Sequence, residues 1–148
     1  MITFGKLDNL HDLVGLFDKY RIFYKKDSDL NGAKQFLSAR IKNQESVIYI
    51  YYDKNIAVGF TQLYPTYSSA RMVKNWILND LFVLVEYRNT GVATQLINKV
   101  IEFAKSNDAN FVQLETQVDN FVAQKLYQHL GFELQEPDKE FLLYKKFI

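Results

Sequence analysis

The sequence predicts a mixed α/β domain, one sheet with helices packed on it, and three observations lead there. Two helical patterns precede any long β run; a hairpin and a long third strand of β-branched and aromatic residues come next; helix then alternates with strand toward the carboxy terminus. The summed order is β-α-α-β-β-β-α-β-α-β-β. No repeat, low-complexity tract or linker divides it, so residues 1–148 are expected to form a single domain.

Met1 to Leu7 alternates weakly and reads as the first strand. Asp8 or Asn9 can cap the helix after it, which carries Leu10, Leu13, Val14 and Phe17 on one face. The basic and aromatic stretch from Lys19 to Lys26 leads into Asp27-Ser28-Asp29, a helix-start signal, and a second helical pattern runs through Ala33, Phe36, Leu37 and Ile41. Val47 to Tyr52 and Ile56 to Leu63, parted by Asp53-Lys54-Asn55, form a hairpin. Tyr64-Pro65-Thr66-Tyr67-Ser68-Ser69 has turn chemistry, and Trp76 to Val85 is a run fit for a buried central strand. Its polar interruption, Asn79-Asp80, marks a bulge, an edge, a functional site or a turn between two shorter strands.

Val92, Leu96, Val100 and Ala104 recur every fourth residue, joined by Ile97, Ile101 and Phe103, which makes Val92 to Lys105 a strongly amphipathic helix. Phe111 to Thr116 is the next strand. Asn120 caps a helix whose Ala123, Leu126, Tyr127 and Leu130 share a face until Gly131 ends it. Phe132 to Gln135 and Phe141 to Phe147, split by Glu136-Pro137-Asp138, are expected to close the chain as two strands.

A chain of 148 residues can bury a core without disulfides or metal, and 48% hydrophobic against 24% charged residues excludes a disordered chain. Eighteen Lys and Arg against 17 Asp and Glu give a net charge of +1, which leaves no global field for nucleic acid or an anionic membrane; neither is expected as a partner. The absence of cysteine excludes a thiolate zinc site and a cysteine nucleophile. His11 and His129 lie far apart in sequence, so no metal is expected. The amino terminus lacks a charged region followed by an apolar stretch, and no apolar run approaches ~20 residues; a cytoplasmic location is expected.

The chemistry concentrates after Val85. Glu86-Tyr87-Arg88-Asn89-Thr90-Gly91-Val92-Ala93 joins the long strand to the strong helix without a gap. A strand feeding a Gly-containing turn at a helix start exposes unpaired N–H groups beside the positive end of the helix dipole, which is an anion site. Gly91 lets backbone approach a phosphate with no Cβ in the way, and Ala93 keeps the first helical turn open. A Rossmann fingerprint needs more glycines and a P-loop needs Gly-Lys-Ser/Thr, so neither nucleotide motif is present. On its own residues the turn is a generic anion site.

Arg88, Gly91 and Ala93, spaced Arg-x-x-Gly-x-Ala between strand and helix, resemble the acyl-CoA pyrophosphate loop of the GNAT superfamily of N-acetyltransferases. Asn120-Phe-Val-Ala123-Gln-Lys-Leu126-Tyr127-Gln-His-Leu130-Gly131-Phe132 is similar to that family's Asn-x-x-Ala-x-x-Leu-Tyr-x-x-x-Gly-Phe segment, and the element order agrees along essentially the whole chain. The resemblance implies a central mixed, mostly antiparallel sheet with splayed central strands, flanked by about four helices. Gly59 to Ser69 and Trp76 to Val83 further resemble the subgroup containing histone and polyamine acetyltransferases. Membership there implies a primary amine acceptor: a polyamine, a lysine side chain or a small amino compound.

The same resemblance implies acetyl-CoA as co-substrate. Backbone groups near Phe82 and Val83 would pair with the pantetheine amides, and the N–H groups of Arg88, Asn89, Thr90, Gly91, Val92, Ala93 and Thr94 would hold the pyrophosphate; Arg88 serves through its main chain or its guanidinium. The helix opened by Asn120 would flank the pantetheine arm. The reaction requires that an alkylammonium with a pKa of roughly 10 lose a proton and that the departing thiolate gain one. Tyr127 suits the second task and occupies the family's general-acid position; otherwise it is an ordinary core tyrosine. For the base the candidates are Glu115, facing opposite to Val112 and Leu114 on its strand, Asp80, or water and backbone carbonyls alone. Tyr24, Tyr64 and Tyr67 lie in loops that the family uses to shape the acceptor pocket. The reading is an N-acetyltransferase working by direct attack in a ternary complex, against an alternative of a non-catalytic acyl-CoA-binding regulatory module. The carboxy-terminal strand is apolar for an edge, and a second subunit covering it gives an expected homodimer.

Overall fold

A computed structural model describes residues 1–148, which form two compact units, Met1–Glu115 and Thr116–Ile148. In the first, β1 (Ile2–Phe4) passes through a short 3-10 turn at Leu7–Asn9 into α1 (Leu10–Phe23), and α2 spans Leu30–Lys42. Then come β2 (Val47–Asp53), β3 (Ile56–Ser68), β4 (Val73–Val83), α3 (Val92–Ser106) and β5 (Val112–Gln113). The strands lie in the order β1-β2-β3-β4-β5, antiparallel throughout except for the parallel pair β4–β5.

Strand alternation places the core. Ile48 and Ile50 of β2, with Phe60 and Phe82, pack on Leu10, Leu13, Val14 and Phe17 of α1 and on Ala33 and Leu37 of α2. Tyr49, between the two isoleucines, meets Phe103 of α3, as does Trp76. α3 therefore covers the face opposite α1 and α2, and it buries the predicted Val92, Leu96, Ile97, Val100 and Ala104. Leu13 and Leu37 are fully buried, so truncating either to alanine costs about 2–5 kcal/mol. Asp29 caps α2 as the sequence predicts, accepting from the Gly32 N–H at 2.9 Å. The link back to α1 is Asp18, which accepts from Ser28 Oγ at 2.7 Å and from the Asp29 N–H at 2.8 Å. The Ser28 hydroxyl, aided by that amide and Arg21, outweighs the cost of burial and holds the Asp18 carboxyl below its ordinary range.

Two segments of this unit depart from expectation. Tyr64 to Ser68 is strand rather than turn, so Tyr64 and Tyr67 stand on β3 and not in a loop. Pro65 is tolerated because Trp76, its partner across β3–β4, sends its own N–H to Phe111 of the β5 side; the pair is a non-hydrogen-bonded one. The missing proline donor then faces the side where β2 pairing has already ended, at Leu63. The expected strand from Phe111 to Thr116 shortens to Val112–Gln113, which leaves Glu115 outside any ladder and exposed.

The second unit holds α4 (Phe121–His129), opened by Asn120, whose side chain accepts from the Ala123 N–H at 3.2 Å. The helix closes through Leu130 into Gly131, which takes the left-handed conformation at φ +88°. The two strands expected at Phe132–Gln135 and Phe141–Phe147 do not form: no residue after Phe132 enters a ladder. Period-two apolar spacing supplies strand propensity but not a partner strand, and the Asp138 side chain instead captures the N–H groups of Glu140 and Phe141 in a local turn. No helix in the chain is long and apolar enough to cross a membrane.

Candidate active site

The polar interruption in β4 is a bulge. Gln62 and Leu63 are consecutive on β3 but pair with Asp80 and Leu78, so Asn79 is the extra residue. The bulge delivers Asp80 to the interior, where only 3% of it is exposed. Its carboxylate accepts from Gln62 Nε2 at 2.7 Å through Oδ2 and from Asn79 Nδ2 at 3.1 Å through Oδ1. Its main-chain oxygen is fixed by Thr61 Oγ1 at 2.8 Å. Ser46 Oγ donates to Gln62 Oε1 at 2.8 Å, which sets the end of that amide that faces Asp80. From α1, the Tyr20 hydroxyl is directed at the same carboxyl. Burial raises the Asp80 pKa above the usual carboxylate value, and the donors from Gln62, Tyr20 and Asn79 offset only part of that rise. Burial, then the adjacent Asp80 charge, drives Tyr20 far above an ordinary phenol, and the same causes, with Arg40 opposing, push Tyr64 up to about 12.

Beyond the bulge β4 has an open edge. β5 pairs only with Trp76 and Ile77, so no strand covers β4 from Leu78 to Val83 on that side. The Leu84 N–H donates to Val58 of β3 at 2.8 Å, and by alternation Phe82 also faces β3 while the N–H and C=O groups of Leu81 and Val83 point to the other edge, where only the Val83 carbonyl has a partner, Arg88 Nε. Of the two residues expected to offer open backbone groups, Phe82 thus turns its own inward. Its side chain contributes instead, as a ring beneath Arg88.

The turn that follows is built by backbone conformation. Asn89 at φ +60° and Gly91 at φ +86° both occupy the left-handed region, and Thr90 Oγ1 donates to the Tyr87 carbonyl. The amide N–H groups of Asn89, Thr90, Gly91, Val92, Ala93 and Thr94 have no acceptor within the chain; the first amide engaged is that of Gln95, on the Gly91 carbonyl at 3.0 Å. Six donors are left open at the positive end of α3, which fits a pyrophosphate. Gly59 permits the helix to start there, since a Cβ on it would lie 3.0 Å from the Phe82 oxygen and 3.2 Å from Val92 Cγ1. The Arg88 Nε donates to the Val83 carbonyl at 3.1 Å, and its guanidinium carbon sits 5.5 Å from the Phe23 ring centroid and 5.9 Å from that of Phe82. Part of the guanidinium is therefore committed to closing the turn.

The structure brings Asp80, Phe82, Val83 and the Arg88–Thr94 turn onto one strand-turn-helix unit. Tyr24 joins them indirectly: it ends α1 and meets the Tyr20 ring at 5.0 Å, while Tyr20 in turn meets Phe82 at 6.4 Å. Phe17, Tyr20, Tyr24 and Phe36, with Arg21 and Lys26, line a cleft of about 480 Å³ between α1 and α2. Tyr67 stands apart, 70% exposed beneath the Lys74 ammonium. In the second unit, Asn120 acts as the α4 cap and Tyr127 sets its ring edge-on to Phe132 at 5.8 Å, with the Phe132 N–H on the Tyr127 carbonyl. Tyr20, Gln62 and Ser46 were not foreseen. The signals available were a hydroxyl-tipped ring continuing the Leu13–Phe17 stripe and a lone glutamine inside an apolar strand run.

Residues 12–132 match the model of the acetyltransferase (GNAT) family, and the chain belongs to that family. It is 45% identical over 129 residues to an uncharacterized N-acetyltransferase of Bacillus subtilis (strain 168), covering 87% of each chain. A crystal structure of a probable acetyltransferase superposes with a TM-score of 0.91 at 36% identity, over 100% of this chain and 99% of that one. An aminoglycoside N-acetyltransferase crystallised with CoA shares the fold at a TM-score of 0.81 and 22% identity, over 99% of this chain and 93% of its own. Family and fold together make this protein an acetyltransferase.

Proposed function

We propose that the protein transfers the acetyl group of acetyl-CoA to a primary amine by direct attack in a ternary complex, with Asp80 accepting the amine proton. One observation carries this: a buried carboxyl with a raised pKa sits on the same strand that leads into a turn of six unpaired amides. The turn fits the pyrophosphate, and the open groups of Leu81 with the N–H of Val83, whose carbonyl is taken by Arg88, fit an amide-bearing arm laid along β4 as an added strand. A carboxylate whose pKa is raised by burial is a better proton acceptor than an ordinary one.

The steps balance as follows. Asp80 takes the proton from the alkylammonium, the freed nitrogen forms its bond to the thioester carbonyl carbon, and the C–S bond breaks. Tyr127, by its place in the family's segment, supplies the proton to the leaving sulfur. Asp80 is favoured over Glu115 because Glu115 is exposed and off the strand, with no side-chain hydrogen bond to orient it. A binding-only regulatory module would need the turn but no buried, hydrogen-bonded carboxylate.

The acceptor falls among polyamines, lysine side chains and small amino compounds. A panel of spermidine, a lysine peptide and simple amino compounds, incubated with acetyl-CoA and read by mass spectrometry, tests this. Acetylated product that disappears in Asp80→Asn supports the proposal; tight CoA binding with no product on any amine would favour the regulatory module. The exposed apolar run from Phe141 to Ile148 supports a homodimer, to be read by light scattering.

A further inference from the structure

We infer that Tyr20 and Gln62 are positioning residues for Asp80, fixing its carboxylate so that a single acceptor site is left for the incoming amine; this rests on Asp80 being the base. An ionised carboxylate offers about four lone-pair sites. Gln62 takes one on Oδ2, Asn79 one on Oδ1, and the Tyr20 hydroxyl is directed at a third. What remains is one direction, and an alkylammonium approaching along it presents one N–H to Asp80, its nitrogen gaining a lone pair as that bond breaks.

Each positioning group is itself pinned. Gln62 is fully buried and could turn its amide end for end, but Ser46 donates to its oxygen and holds the NH2 toward Asp80. The Tyr20 ring is wedged edge-on against Phe60 at 5.8 Å and Phe82 at 6.4 Å, with Tyr24 at 5.0 Å on its outer side. Because its own proton is held far more tightly than in a free phenol, Tyr20 stays a donor at every working pH and cannot compete as base. Its ring lines the cleft between α1 and α2 and packs on Phe82 while its hydroxyl is directed toward the carboxyl, so one residue joins that cleft to the base.

The titratable groups that face Asp80 are Tyr20 from α1 and Tyr64 from β3. Tyr24 stands behind the first, and Arg40 and Glu45 beside the second. No lysine or arginine pairs with the carboxylate, so its ionised form depends on neutral donors alone. Removing one donor therefore raises the pKa rather than merely loosening the fold.

The test is a carbon-13 titration of protein labelled at aspartate carboxyl carbons, with the Asp80 signal assigned by its loss in Asp80→Asn. Tyr20→Phe keeps the half-buried ring and is expected to raise the Asp80 midpoint by about one pH unit; Ser46→Ala, which frees the Gln62 amide to turn, is expected to move it the same way by less. With the best amine of the panel, the acid limb of kcat/KM should move with the titration while the KM for acetyl-CoA stays put. An unmoved midpoint in both variants, with wild-type thermal stability, overturns the positioning roles even if Asp80→Asn is inactive. Asp80→Asn retaining full turnover would instead overturn the base, and the inference with it.

Discussion

The bulge at Asn79–Asp80 and the turn from Arg88 to Thr94 belong to one continuous strand-turn-helix, yet they present polar groups in opposite ways. At the bulge a side chain is withdrawn from water and given hydrogen bonds by Gln62 and Asn79, with the Tyr20 hydroxyl directed toward it. At the turn the main chain is exposed and six of its N–H groups are given nothing. The proposed base would need to be held in one orientation in a medium that raises its proton affinity, whereas the proposed polyanion site would need its donors free of internal competitors. The first is therefore vulnerable to a change of side-chain identity and the second to a change of backbone conformation.

The largest separation should come from Asp80→Asn. We expect kcat to fall roughly 10²- to 10³-fold with CoA affinity, measured calorimetrically, almost unchanged; a parallel loss of CoA binding would erase the distinction between the two regions. Gly91→Val should do the reverse. A β-branched residue at φ +86° is strained by about 1–3 kcal/mol, so CoA should bind about tenfold more weakly while turnover at saturating acetyl-CoA changes little.

A pH profile sharpens the comparison further. Because burial raises the Asp80 pKa, the basic form is lost as pH falls through a value above the ordinary ~3.9, and the acid limb of kcat/KM should lie above that figure. A limb at or below it would remove Asp80 from the reaction. The smallest effect is expected of Arg88→Lys, roughly threefold on CoA affinity, because Arg88 Nε closes the turn on Val83 and the proposed anion contacts come from the open amides. A loss of a hundredfold would show that the guanidinium itself grips the phosphates.

The same contrast explains what could be read from the chain. The turn was legible because its conformation is written locally: one glycine, small neighbours and a helical period starting at Val92. The bulge was legible as a polar break, and Asp80 as a candidate, for the same reason. Its partners were not, since Ser46, Gln62 and Tyr20 come from three separate elements and meet only when the hairpin and α1 fold onto β4. Helices and the order of the first five strands followed from periodicity. The two closing strands failed because a ladder depends on a partner that no local pattern specifies, and Tyr64–Ser68 failed because turn-type residues, proline included, fit a strand where one side is unpaired.

The bulge also makes β4 one residue longer than the stretch of β3 it faces. Removing Asn79 outright would leave every other pairing from Val73 to Val83 in register and every side chain on its present face, because Leu78 and Asp80 already oppose neighbouring residues of β3. This strand should thus accept a deletion that most strands cannot. What it would surrender is the Asn79 amide on the Asp80 carboxylate and the local bend beside the point where β5 stops following β4, so the extra residue serves the open edge and its carboxylate and is not a fastening of the sheet.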